Sequence, residues 1–216
     1  MNRKLHPKPQ AGFTLIELMI TLLIFGILLA LAGPPFQSWV KNTQLRSYAE
    51  SFQSAVQQAR SEAIKRNGYV ELLLTNSAIS AVGRNAAAVT ESTEGTAWLI
   101  RGCPDCINLN TAPLIDEPSY PYLDGKTVSE GNSAQFKLSA NQSLIRFDAL
   151  GRANRALSLI VADKADGAKL DACITKPADG KVITGPARIC LLVDEGGNAR
   201  LCLPDAVSTN PSSCVR

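Results

Sequence analysis

The chain has 216 residues, 45% of them hydrophobic and 19% charged, which is long enough for one membrane helix plus one globular domain. Its formal net charge of +3 overstates the basicity: Arg3, Lys4 and Lys8, three of the 22 basic residues, precede Phe13 with none of the 19 acidic ones, so the side chains beyond them sum to 19 − 19 = 0. That balance excludes a strongly basic nucleic-acid footprint over the chain as a whole and leaves room only for a local patch.

The first element is an apolar run. From Leu18 to Ala32 no residue is charged, and about 20 helical residues at ~1.5 Å each cover the ~30 Å core of a bilayer, so residues 13–35 read as a membrane-spanning helix. Arg3, Lys4, His6 and Lys8 lie ahead of it, which by the positive-inside rule keeps residues 1–12 in the cytoplasm and sends the remainder outward in a single pass. A removable secretory signal fits poorly. The candidate Gly12 stands before the apolar run instead of after it, so cleavage there would leave the hydrophobic helix on the mature protein. Glu17 is the anomaly, because a carboxylate inside such a helix costs roughly 2.5–3.5 kcal/mol on insertion scales and calls for a partner or a role.

Gly33-Pro34-Pro35 is expected to interrupt the helix at Pro34 by a kink or by local melting, since proline removes a backbone donor and crowds the preceding turn. A second helix follows over 36–67. Phe36, Val40, Tyr48, Phe52, Val56, Ala59 and Ala63 recur every three to five residues, with Lys41, Arg46, Glu50, Gln53, Gln57, Arg60 and Lys65 mainly between them. Asn67-Gly68 marks its end. The remaining 68–216 reads as β, with short aliphatic and β-branched runs at Tyr69 to Leu74, Ala97 to Arg101, Leu144 to Phe147, Leu157 to Ala162 and Arg188 to Val193. The clearest hairpin turns at Asp194-Glu195-Gly196-Gly197-Asn198 and returns through Ala199 to Leu203, and Asp148-Ala149-Leu150-Gly151 is a second turn. The segments Cys103 to Asn132 and Asp163 to Gly185 have no sustained period and read as surface loops, and no internal repeat is evident.

Six cysteines, Cys103, Cys106, Cys173, Cys190, Cys202 and Cys214, all lie beyond the membrane helix. An even count in a compartment outside the cytoplasm reads as disulfides, for which 15 pairings exist. The spacing of Cys103-Pro104-Asp105-Cys106 also suits zinc or redox chemistry. Against zinc stand the lack of a second such pair and a sole histidine, His6, at the N-terminus; against redox chemistry stands the missing βαβ context. No metal or cofactor is expected. Catalysis is not expected either, because no nucleophile elbow, zinc-protease helix, phosphate loop or dinucleotide fingerprint occurs.

Gly12-Phe13-Thr14-Leu15-Ile16-Glu17-Leu18 resembles the signal of type IV pilins and type II secretion pseudopilins. The resemblance implies a prepilin peptidase that cuts between Gly12 and Phe13 and methylates the new amine of Phe13. Residues 1–12 are then a leader. It also implies that Glu17, now the fifth residue, meets the N-terminal amine of a neighbouring subunit; pairing within one chain is the alternative, and either relieves two buried charges. Phe36-Gln37-Ser38-Trp39-Val40, Ala59-Arg60-Ser61-Glu62-Ala63 and Phe147-Asp148-Ala149-Leu150-Gly151-Arg152 narrow the likeness to the GspH/FimT group. That implies an α+β fold, a long N-terminal helix packed on an antiparallel β-rich head. The preferred pairing is then Cys103 with Cys106, Cys173 with Cys190 and Cys202 with Cys214, the last closing a C-terminal loop as in many pilins.

The group implies three roles. One is a minor type IV pilin that primes a pilus, the reading preferred here; one is a type II secretion pseudopilin; one is a DNA-binding pilin used in transformation. The third relies on a Gly-Arg-x-Arg stretch from which Gly197-Asn198-Ala199-Arg200 departs, so Arg152, Arg155, Arg188 and Arg200 are candidate DNA contacts but read more simply as solvated surface. Expected partners are the prepilin peptidase, other pilins or pseudopilins and the inner membrane, with nucleic acid less favoured. The expected location is the bacterial inner membrane with the head in the periplasm, and then the filament.

Overall fold

The computed structural model describes residues 12–77 (backbone alone for 30–35), 89–110, 120–127, 135–164, 173, 188–204, 206 and 210–214. One helix, α1 (Leu15–Arg66), is followed by eight strands: β1 (Tyr69–Thr75), β2 (Ala97–Cys103), β3 (Tyr122–Lys126), β4 (Phe136–Ala140), β5 (Leu144–Phe147), β6 (Leu157–Asp163), β7 (Ile189–Val193) and β8 (Ala199–Cys202). The chain falls into two compact units, Met1–Val40 and Lys41–Arg216.

The helix starts on a device already written in Thr14-Leu15-Ile16-Glu17. The Glu17 backbone N–H donates to Thr14 Oγ1 at 3.3 Å and the Thr14 N–H donates back to a Glu17 carboxylate oxygen at 3.5 Å, a reciprocal capping box. It ends on another. Asn67 takes a left-handed φ of 49°, its N–H donates to the Ile64 carbonyl and the Gly68 N–H to the Ala63 carbonyl, which satisfies two carbonyls of the last turn.

Between these ends the expected interruption is not a break: helical backbone runs through Gly33-Pro34-Pro35. The proline φ is already helical, and Gly33 has no Cβ to meet the Pro34 ring, so the steric penalty on the residue before a proline is lowered. Among the described residues no helix is long and apolar enough to cross a membrane. The described part of the apolar run, Phe13 and Leu15 through Leu29, is exposed throughout.

In the second unit the helix face is Leu45, Tyr48, Ala49, Phe52, Ala55, Val56, Ala59 and Ala63, all buried. Leu45 joins this face, whereas Phe36, counted with it from sequence, is 63% exposed. The face packs on two four-stranded antiparallel sheets, ordered β3-β2-β1-β5 and β4-β6-β7-β8. Val70, Leu72, Trp98, Ile100, Ile145 and Phe147 come from the first sheet and Phe136, Leu138, Leu159, Val161, Leu191 and Val193 from the second, joining the helix in one core. Alternation sends their neighbours to the outer faces.

Each outer face is covered by a disulfide-tied segment. Cys103–Cys106 ties the turn after β2, beside Leu99 and Tyr120. Cys173–Cys190 and Cys202–Cys214 lie together beside Ile160 on the other sheet. The last two span 17 and 12 residues, lengths for which loop closure contributes about 3 kcal/mol each by the chain-entropy account. Reduction with dithiothreitol is therefore expected to lower the Tm of the unit Lys41–Arg216 by several degrees in a calorimetric scan; an unchanged Tm would show that these bonds do not hold the covers.

One expectation about this region changes. The segment Cys103 to Asn132 is not a surface loop throughout, because it contains the edge strand β3 and the buried Tyr120 and Cys106. Asp163 to Gly185 falls mostly outside the described residues.

Candidate functional site

At the N-terminal site the geometry is open. Phe13 is 88% exposed, and a Cβ built on Gly12 would meet nothing within 4 Å. Among the described residues nothing crowds Gly12, so packing against them does not account for a glycine there. Glu17 lies four residues from Phe13 in the first helical turn, where its carboxylate faces the unpaired N–H groups of the helix start. Among the described residues its carboxylate accepts from the Thr14 N–H and the Thr14 hydroxyl, both at 3.5 Å, long and exposed contacts that a full cationic amine would outcompete.

In the head, sequence reasoning missed a buried ion network. Glu71 in the central strand β1 stands opposite Arg101 of β2 and Arg146 of β5 in the sheet register. All three side chains are buried on the outer face. Arg101 Nε donates to one Glu71 oxygen at 2.7 Å, and Arg146 donates to the other through Nε at 2.9 Å and through its NH2 group. The remaining edge of Arg146 donates to the carbonyls of Asn108 and Leu109, and Arg101 stacks over the Tyr120 ring at 4.7 Å. The Cys103–Cys106 disulfide closes over the carboxylate, with Cys106 Sγ 4.0 Å from Glu71.

Glu71, Cys103 and Cys106 present ligand atoms within 4.8 Å of one another, a spacing suited to a metal ion. Joined sulfurs offer no thiolate, however, and both carboxylate oxygens are taken by guanidinium groups. The cluster is an electrostatic tie between three strands and the turn that covers them.

A second convergence lies at the end of α1. Asp148 to Ala153 and Asp194 to Ala199 are the same turn built twice, Asp-x-x-Gly-x-Ala. In each, the first aspartate's N–H donates to the fifth residue's carbonyl, and the glycine, at φ 75° or 77°, donates back to the aspartate carbonyl. Asp148 is pushed up by burial, yet hydrogen bonds from the Arg152 and Leu150 backbone and the Arg152 guanidinium hold its carboxyl below the usual range. The Asn198 backbone and side-chain amide do the same for Asp194. Between the turns lies Arg60 of the helix, donating to Asn198 Oδ1 at 3.2 Å while its buried Nε finds no partner among the described residues.

The four arginines considered for nucleic acid lie at 152 and 155, in the stretch before β6, and on or beside β7 and β8. Arg152 is bound to Asp148 on its turn. Arg155 borders a cleft of about 330 Å³ with Glu91, Gln142 and Asn154, whereas Arg200 borders another of about 580 Å³ with Asp194 and donates to the Cys214 carbonyl. Arg188 stands just before β7.

Comparisons with known proteins agree at both ends. The prokaryotic N-terminal methylation motif matches residues 7–33, and the family of the type II transport protein GspH matches residues 48–178, more than half of the chain. A fimbrial protein of Pseudomonas aeruginosa is 34% identical over 104 residues, which cover 43% of this chain and 68% of the relative. Among solved structures, the type IV minor pilin FimU of Pseudomonas aeruginosa strain PAO1 aligns over 82% of this chain and 98% of its own at 16% identity, with a TM-score of 0.45. The minor pseudopilin EpsH of the Vibrio cholerae type 2 secretion system aligns over 74% and 98% at 12% identity, with a TM-score of 0.41.

Proposed function

The chain belongs to the GspH family of type II transport proteins, and on that premise we propose that it is a minor type IV pilin, anchored in the inner membrane by residues 13–35 and then built into a pilus whose assembly it helps to prime. Membership makes it a structural pilin-like protein rather than an enzyme. The observation that carries the proposal is the N-terminal site. A glycine that no described residue crowds precedes an exposed apolar helix, and the first turn of that helix holds a carboxylate with no strong partner among the described residues.

Each part then has a task. A prepilin peptidase cleaves after Gly12, and methylation of the Phe13 amine keeps it cationic. The apolar residues from Phe13 onward face lipid first and neighbouring helices afterwards. Glu17 is satisfied by the amine of an adjacent subunit, which fixes the axial register because a one-residue slip leaves both charges unpaired in an apolar setting. The pilus is favoured over a secretion filament by the relative named as a fimbrial protein. A secretion pseudopilin is the second reading, favoured by the family's description as a type II transport protein.

Mass spectrometry of membranes and sheared filaments tests this directly. The wild-type chain should be found starting at a methylated Phe13 within filaments. Gly12→Ala should accumulate at full length, and Glu17→Ala should be processed but be depleted from filaments about tenfold or more, the equivalent of an unpaired buried charge costing at least ~1.4 kcal/mol. Normal processing of Gly12→Ala would overturn the cleavage assignment, and unchanged filament content of Glu17→Ala would overturn the charge pairing. Pull-downs against pilus and secretion subunits separate the two filaments.

A further inference from the structure

Beyond the apolar run the helix carries two aromatic side chains that the core of the head does not use. Phe36 and Trp39 stand three residues apart on one side of α1, with ring centroids 6.0 Å apart, and each is 63% exposed. Every other described aromatic side chain except Phe13 and Phe25 is at least partly buried. Their position along the helix is informative. From Leu18 to Val40 no side chain is charged, and Lys41 is the first ionised group after Glu17. Helical backbone is continuous over that span. A hydrocarbon layer of ~30 Å entered at Leu18 is left about 20 residues later at ~1.5 Å per residue, which is at Ser38.

We propose that Phe36 and Trp39 form a lipid-interface anchor, seated in the far headgroup layer of the bilayer while the subunit waits to enter a filament. The proposal rests on the membrane-anchored reading above and adds the depth at which the helix stops. An indole is amphipathic, with an apolar body and one N–H donor, and prefers the headgroup level to either hydrocarbon or water. Gln37 and Ser38 lie between the two rings in the chain and supply polar groups at the same level. Lys41 bounds the site on the water side, since its ammonium pairs with Asp163 at 3.6 Å and resists being drawn into hydrocarbon. Two aromatic side chains at the boundary and a tethered cation just past it fix the vertical position of the helix.

The chain has two tryptophans, Trp39 and Trp98, so its own fluorescence reads the depth. Trp98 is buried in the head and its Nε1 has no hydrogen-bond partner among the described residues, so Trp98→Phe removes an unsatisfied donor and keeps a ring. Full-length Trp98→Phe is reconstituted in phosphatidylethanolamine–phosphatidylglycerol vesicles carrying bromine near the headgroup or near the acyl-chain ends, and the vesicles are floated on a density gradient. The expected result is flotation with the larger loss of Trp39 emission from the shallow bromine. The Trp39→Phe chain, which reports Trp98, should lose no emission with either lipid. Flotation with no quenching, or with deeper bromine quenching more, overturns the interface anchor and leaves membrane anchorage standing. A chain that does not float overturns the anchored reading as well.

Discussion

Glu71→Ala is expected to lower the stability of the unit Lys41–Arg216 by about 3–5 kcal/mol, because it leaves two guanidinium groups facing each other in a buried site with no carboxylate between them. Both arginines are held in place by other contacts, Arg101 by the Tyr120 ring and Arg146 by two carbonyls, so neither swings out to water without uncovering the outer face of the sheet. Loss on that scale is a large fraction of the 5–15 kcal/mol that holds a domain together. Urea unfolding followed by circular dichroism measures it. The companion Glu71→Leu/Arg101→Met/Arg146→Met should recover most of the loss, since removing all three charges also removes the desolvation that the pairing offsets. A single variant within about 1 kcal/mol of wild type would show that water reaches the site and screens it.

Gly197→Ala is expected to cost at least about 3 kcal/mol by the same measurement. Part is the left-handed backbone, at φ 77°, which costs a residue with a Cβ roughly 1–2 kcal/mol. The rest is contact: the new Cβ would lie 2.1 Å from the Gly151 carbonyl oxygen and 3.1 Å from Arg60 Nε. Backbone cannot rotate aside as a side chain can, so one turn must retreat from the other and from Arg60. The Ala153 N–H, which donates to the Glu195 carbonyl at 2.9 Å, goes with it. Gly196→Ala is the internal control. Its Cβ would meet only the ends of the Asp194 and Asn198 side chains, at 3.1 and 3.3 Å, and should cost under about 1 kcal/mol. Equal losses at the two positions would mean that the close approach of the turns does not matter.

Much of this architecture is legible in the chain because its signals are local. Runs such as Leu72-Leu73-Leu74 and Leu159-Ile160-Val161 identify strands without knowledge of their partners. Two strands escape that logic. In β4, Phe136, Leu138 and Ala140 alternate with Lys137 and Ser139, a two-residue period too short to stand out, whereas β3 carries Asp124 and Gly125, residues that signal a turn. Asp124 is tolerated there because β3 is an edge and its carboxylate accepts from the Gln58 amide of the helix at 2.7 Å.

The candidate sites divide in the same way. Gly12, Phe13 and Glu17 lie within six residues and are read as one motif. The capping box Thr14-x-x-Glu17 is equally local, yet from sequence Glu17 reads only as a charge in need of a partner. Glu71 gives only one hint, a charge inside a run otherwise fit for a core, and its partners lie 30 and 75 residues away. No spacing rule reaches that far, since strand register decides it. The two Asp-x-x-Gly-x-Ala stretches are too short to be read as a repeat, and that they meet at Arg60 follows only from both sheets closing on the helix.

The disulfide-tied covers bear on how such a head changes over generations. Cys103–Cys106 and the paired bonds at Cys190 and Cys202 fasten segments over outer faces whose inner partners already pack around α1. A covalent clasp holds its two ends together whatever residues lie beside it, so a substitution outside the helix-facing layer and the Glu71 site leaves the fastening in place. The head thus keeps two kinds of fastening apart in space: the helix-facing layer is held by apolar packing, and the outer faces by disulfides and, at Glu71, by charge.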